Sequence, residues 1–146
     1  MLKLTKKADY GLIALRHLAV VEANQSASAK EIADAYGIPL PLLAKVLQKL
    51  ARNGLLTPVY GTNGGYKLAR DPREISALEV IRTIDGPIIL TSCFTQSGCD
   101  QSGKCSVKEP LRRIHEGILQ LLEGITISEM GEESAELHQI QLMGQV

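Results

Sequence analysis

The residue types best suited to chemistry in this chain are three cysteines, Cys93, Cys99 and Cys105, and it holds no others. They lie in Cys93-Phe-Thr-Gln-Ser-Gly-Cys99-Asp-Gln-Ser-Gly-Lys-Cys105, with five small, polar or turn-forming residues in each gap apart from Phe94 and Lys104. Thiolates are soft ligands for zinc and for iron–sulfur clusters, and they are the nucleophiles of redox switches. An odd count in a reducing compartment argues against a disulfide framework. Three thiolates leave one position of the usual four to another donor. An iron–sulfur cluster is the preferred reading of this loop. A zinc site with three cysteines and one other ligand, or a thiol redox switch, is the competing chemistry. An electron carrier or cluster enzyme is a third reading, but the spacing is unlike the ferredoxin runs. No G-x-G-x-x-G, P-loop or Ser/His/Asp nucleophile signature is present, so no enzyme is expected.

The elements that must position this segment read clearly on both sides of it. Thr5 caps a first helix to about Glu22, with an apolar face of Tyr10, Ile13, Ala14, Leu18 and Val21. Ser28, with Glu31 three residues on, starts a helix over 29–36 that Gly37 stops. Gly37-Ile-Pro turns into a third helix, about 41–53, with apolar Leu42, Leu43, Val46, Leu47 and Leu50 and with Gly54 just past its end. Two short helices about a Gly-containing turn form a helix-turn-helix, placed at about 28–53. A strand from Leu55, a tip Gly61-Thr-Asn-Gly-Gly65 and a strand from Tyr66 form a hairpin, the wing, at about 55–69. Ser76 caps a helix over 77–84, broken by Gly86-Pro87.

After Cys105, a long helix capped by Ser106 is expected over 107–123, with a short last helical turn over 126–130. Its apolar positions Val107, Leu111, Ile114, Ile118, Leu121 and Ile125 step by four and three, a seam for helix pairing. The fold class is mainly α with a small β-hairpin: a winged helix-turn-helix domain over 1–85, a cysteine loop over 86–106, a dimerisation helix and last turn over 107–130, and an acidic tail over 131–146.

The formal net charge is zero, but ten basic residues stand against five acidic ones through Asp71, and six against eleven beyond it. A basic first half points to a polyanion, here double-stranded operator DNA. No apolar run approaches the ~20 residues that span a bilayer, and no signal peptide is visible. No membrane partner and a cytoplasmic location are the expectations.

Met1-Leu-Lys-Leu-Thr-Lys-Lys-Ala-Asp-Tyr-Gly, Leu43-Ala-Lys-Val-Leu-Gln-Lys-Leu, Gly61-Thr-Asn-Gly-Gly-Tyr, Ile75-Ser-Ala-Leu-Glu-Val-Ile and the three-cysteine loop together resemble the bacterial Rrf-two family of winged-helix regulators. The resemblance runs to about residue 130 and looks most like the branch regulating SUF systems. It implies a homodimeric, cluster-sensing regulator, a repressor of iron–sulfur assembly or related stress genes. It also implies that Cys93, Cys99 and Cys105 hold the cluster, [4Fe-4S] or [2Fe-2S], with a non-cysteine fourth ligand. IscR-type members carry a histidine where this chain has Lys108. Asp9 matches an aspartate used in trans by another branch, so Asp9 of the partner subunit is the preferred ligand, with His17 or Glu109 as fallbacks.

The expected DNA-contacting residues are Lys3, Ser28, Pro39, Pro41, Leu42, Lys45, Lys49, Tyr60, Gly61, Thr62, Asn63, Gly64 and Gly65. Pro39, Pro41, Leu42 and Lys45 stand at the start of the recognition helix, whose first residues meet base edges. Ala44 replaces a glutamate of IscR-type members. Tyr60 replaces an arginine common before the wing glycine. Lys3, Lys6, Lys49 and Lys67 are candidate phosphate contacts.

Overall fold

A computed structural model describes residues 4–21, 25–61, 64–88 and 107–130. Its elements are α1 (Lys6–Val20), α2 (Ala29–Tyr36), α3 (Leu40–Arg52), β1 (Leu56–Val59), β2 (Gly65–Leu68), a single 3-10 turn (Pro72–Glu74), α4 (Ala77–Asp85) and α5 (Lys108–Gly124). A further helical turn covers 127–130.

The caps account for the boundaries. The hydroxyl of Thr5 accepts from Ala8 N at 3.2 Å, that of Ser28 from Glu31 N at 3.1 Å, and that of Ser76 from Glu79 N at 3.1 Å. Each satisfies one of the orphan amides of a helix start. Gly37, at φ 66°, ends α2 in the left-handed region, where a side chain would be strained. The second helix falls where the sequence places it. The third starts at Leu40 rather than Pro41, with Pro41 tolerated in its first turn. The last long helix starts at Lys108, and Val107 at its N-cap makes no side-chain cap bond. Ser106, expected as that cap, lies outside the described residues.

The core is aliphatic and gathers α1, α2, α3 and α4 with the start of β1. Leu15, Ile32, Leu43, Leu47, Leu50, Leu55, Ile75 and Ile81 are fully buried. The buried side of α1 differs from the expected stripe: Ala8, Gly11, Leu12, Ala14, Leu15 and Leu18 are inside, whereas Tyr10 and Ile13 are only half-buried. The reason is that α1 packs against α3, α4 and β2 together. A helix enclosed on several sides has no single apolar stripe. Gly11 makes the closest approach, since a Cβ there would collide with Ile84 Cδ1 of α4.

The hairpin pairs antiparallel, Leu56 with Leu68 and Val59 with Gly65. Pro58 lies on β1, a sheet edge where its missing N–H is tolerated. The inner strand β2 gains a second neighbour that the sequence did not announce. Ala27 N donates to Tyr66 O at 3.1 Å and Tyr66 N to Ala27 O at 2.8 Å. Far along the chain, Ala77 N donates to Ile125 O at 2.8 Å and Ile127 N to Ile75 O at 2.9 Å. This stitch fixes the end of α5 to the start of α4 and seats Ile127 fully in the core.

Candidate nucleic-acid interface and the root of the cysteine segment

The helix-turn-helix places α3 with one face in the core and the other in solvent. Leu43, Val46, Leu47 and Leu50 are buried, while Pro41, Lys45, Gln48 and Arg52 are exposed. The latter four are spaced by four, three and four, so they form one outward face. Neither Lys45 nor Arg52 makes an ion pair or hydrogen bond among the described residues. Gln48 and Arg52 were not singled out from the sequence, although their spacing from Lys45 could have marked them. Pro39 is exposed and Leu42 half-buried. The hydroxyl of Ser28 serves as the α2 cap, at the base of the same motif.

Lys49 has a different setting from the lysine nearest it. Its Nζ donates to Ile84 O, at the end of α4, at 2.9 Å. Lys49 is exposed, as are Lys6 and Lys67, but those two make no such bond among the described residues.

The wing projects Tyr60, which is 88% exposed. Gly61 sits at φ 121°, and Gly64 N donates to Gly61 O at 3.1 Å, closing the tip. A Cβ on Gly64 would lie 2.7 Å from Val59 O, so its bare backbone is needed by the turn itself. Gly65 is needed for another reason: a Cβ there would strike the Ala27 carbonyl and lie 2.7 Å from Ser28 N. It belongs to the wing's base. Lys3, Thr62 and Asn63 lie outside the described residues.

Arg70 ties the wing to α4. It donates through Nη1 to Glu79 Oε1 at 2.5 Å and through Nη2 to Glu74 O at 2.9 Å. Nothing in the local sequence flags this pair, which the 3-10 turn brings together across nine positions.

Cys93, Cys99 and Cys105 lie outside the described residues, but the chain's departure toward them is well defined. Thr5 Oγ1 donates to Asp85 Oδ1 at 2.7 Å, joining the start of α1 to the last residue of α4. Asp9 is exposed one turn along α1 from that contact. The two fallback ligands are engaged elsewhere. His17 Nδ1 is 2.9 Å from the Tyr36 hydroxyl, with the rings edge to face at 5.5 Å. Glu109 pairs with Arg112 at 2.6 Å. That pair raises the Arg112 pKa above its ordinary value, through the hydrogen bond first and its charge second. Among the described residues no group of three His, Cys, Asp or Glu could hold a metal ion. The three thiolates of the cysteine segment have the chemistry of an iron–sulfur or zinc centre.

Residues 4–133 match the family model described as Rrf2, iron-dependent transcriptional regulator. The chain belongs to the Rrf2 family. It is an Rrf2-type transcriptional regulator, and regulators of this family bind DNA. Solved structures agree. CymR (YrzC), the global cysteine regulator of B. subtilis, is 26% identical with a TM-score of 0.77, over 91% of this chain and 98% of that one. The IscR of T. potens is 29% identical with a TM-score of 0.72, over 93% and 90%. The oxidised form of Staphylococcus aureus CymR is 28% identical with a TM-score of 0.70, over 89% and 96%. The winged-helix expectation accords with the two-stranded hairpin and helices of this Rrf2 chain. No helix among the described residues is long and apolar enough to cross a membrane.

Proposed function

We propose that this Rrf2 regulator is a homodimeric iron–sulfur sensor that represses iron–sulfur assembly or related stress genes by binding operator DNA. The observation that carries the reading is the set of three cysteines on the only stretch joining α4 to α5, in a family whose description is iron-dependent. Cys93, Cys99 and Cys105 would hold the cluster, with Asp9 of the partner subunit as fourth ligand. Bound there, a cluster supplies a redox-active centre that oxidants can destroy.

The chain's own residues do the rest. Lys45 and the start of α3 face bases, where a lysine donates to guanine O6 and N7. Tyr60 and the glycine tip carry the wing to the neighbouring groove. Val107, Ile114 and Leu121, seven residues apart, leave 52%, 51% and 65% of their surface exposed, which is the seam a second copy would cover. Two copies related by a two-fold axis present two recognition helices to a symmetric operator. The segment's occupancy shifts DNA affinity only to the extent that one dimer form holds the occupant better than the other.

A second reading is a thiol redox switch without metal. The likeness to an oxidised CymR structure favours it. Anaerobic purification with a visible absorption spectrum, iron and sulfide assays and native mass spectrometry separates the two. A coloured dimer with iron and sulfide in stoichiometric amounts supports the cluster. Colourless protein that reversibly oxidises its thiols, with matching changes in DNA affinity, supports the switch.

A further inference from the structure

We propose that Lys49 is a positioning residue that locks the recognition helix to the root of the cysteine segment, so that a change in the segment reaches α3. This inference rests on the segment being the sensing element. Ile84 is the penultimate residue of α4, and the chain leaves toward Cys93 two residues later at Gly86. Its side chain fills the notch opened by Gly11, and Val46 Cγ1 of α3 lies 3.5 Å from where a Gly11 Cβ would be. Its carbonyl is one of the last four of α4, which have no partner within the helix. Lys49 Nζ supplies that partner at 2.9 Å. An ammonium at this position also suits the negative end of the helix dipole.

The neighbouring residues complete the joint. Gly86 N closes back on Arg82 O at 2.9 Å. Asp85 accepts from Thr5 at 2.7 Å. The last two residues of α4 thus grip α1 and α3 at once, through side chain and backbone. Lys45 and Arg52, on the outward face of α3, have no comparable anchor among the described residues. Lys49 lies one turn from Lys45 and is itself exposed, but its ammonium is held at the end of α4. Lys49 joins the helix that reads DNA to the last turn before the cysteines.

The test uses the full chain and a duplex selected by the wild-type protein from a random pool. Affinity is measured for anaerobically purified protein and again after iron is removed with a chelator, for wild type, Lys49→Met and Lys49→Arg. Wild type is expected to change affinity by about fivefold or more between the two states, a usual size for coupling between sites. Lys49→Met brings that ratio within about twofold, with iron content, circular dichroism and the salt dependence of binding unchanged. Lys49→Arg, which can reach the same carbonyl, restores the ratio.

If Lys49→Met weakens both states equally and lowers the salt slope by about one, Lys49 is a phosphate contact and the proposal is overturned. If wild type itself shows no difference between states, the sensing reading falls, and this inference with it. Coupling is reciprocal, so iodoacetamide labelling of the three cysteines in iron-free protein reads it in reverse. Adding duplex changes labelling in wild type and leaves it unchanged in Lys49→Met, or in Lys49→Gln should the methionine variant not fold. An equal change in wild type and variant also overturns the proposal.

Discussion

The winged-helix head and the α5 arm are built by opposite rules. In the head, Leu15, Ile32, Leu43, Leu47 and Leu50 are fully buried, and each helix start is capped by a hydroxyl except that of α3, whose N-cap is Pro39. No residue of α5 from Glu109 onward is fully buried, and its N-cap is a valine with no side-chain bond. It rests on α4 along one side and leaves Val107, Ile114 and Leu121 in water on another. Exposed apolar residues scattered singly are ordinary, but a seven-residue repeat of them is not. The head buries its apolar side chains within its own chain, whereas the arm leaves an apolar row exposed.

Truncation should separate the two regions first. Leu47→Ala, in the head, is expected to cost about 2–5 kcal/mol of folding stability, as removing a fully buried leucine does. A urea melt checks it, and a loss no greater than that of Leu121→Ala would erase the distinction. Next, Ile114→Glu with Leu121→Glu should leave the head's circular dichroism and melting unchanged. It should raise the dimer dissociation constant at least about a hundredfold, because charge enters an apolar seam. Sedimentation velocity reads this directly, and an intact dimer would show that the arm's seam faces nothing.

A smaller effect is expected within the head. Gly65→Ala pushes a methyl into the Ala27 backbone and should cost about 1–3 kcal/mol, the usual range for overpacking. Amide exchange should quicken at Tyr66, whose N–H donates to Ala27 O. Unchanged exchange would mean the wing is held by β1 alone.

The smallest effect concerns Asp71. Its carboxyl is held below the ordinary value, first by the Arg73 side-chain hydrogen bond and then by the Arg73 backbone. A lowered folded-state pKa stabilises above the unfolded carboxylate range, and the gain is lost as pH falls through the folded value. Arg73→Ala should therefore melt slightly below wild type at neutral pH and level with it in acid. Both groups are solvent-exposed, so the neutral-pH difference is the least of the four.

Legibility followed the range of the interactions. The second helix could be read to the residue because Ser28, Glu31 and Gly37 act locally. The α3 core followed from helical spacing, with Leu42 the one expected apolar position left half-buried. The face of α1 was misread because three neighbours enclose it and Gly11 gives no apolar signal. Ala27 escaped notice because a one-residue bridge has no period. The bonds Arg70–Glu79, Lys49–Ile84 and Thr5–Asp85 join residues 9, 35 and 80 positions apart, which no local pattern announces. At the candidate interface, Lys45 and Tyr60 stand exposed, while Lys49 is tied to the end of α4 by a bond that no local pattern marks.

The stitch between residues 75–77 and 125–127 has a mechanical consequence. It pins the start of α4 to the end of α5 through paired amides and through Ile127 in the core. The two helices therefore cannot part at that end without breaking both hydrogen bonds and exposing an isoleucine.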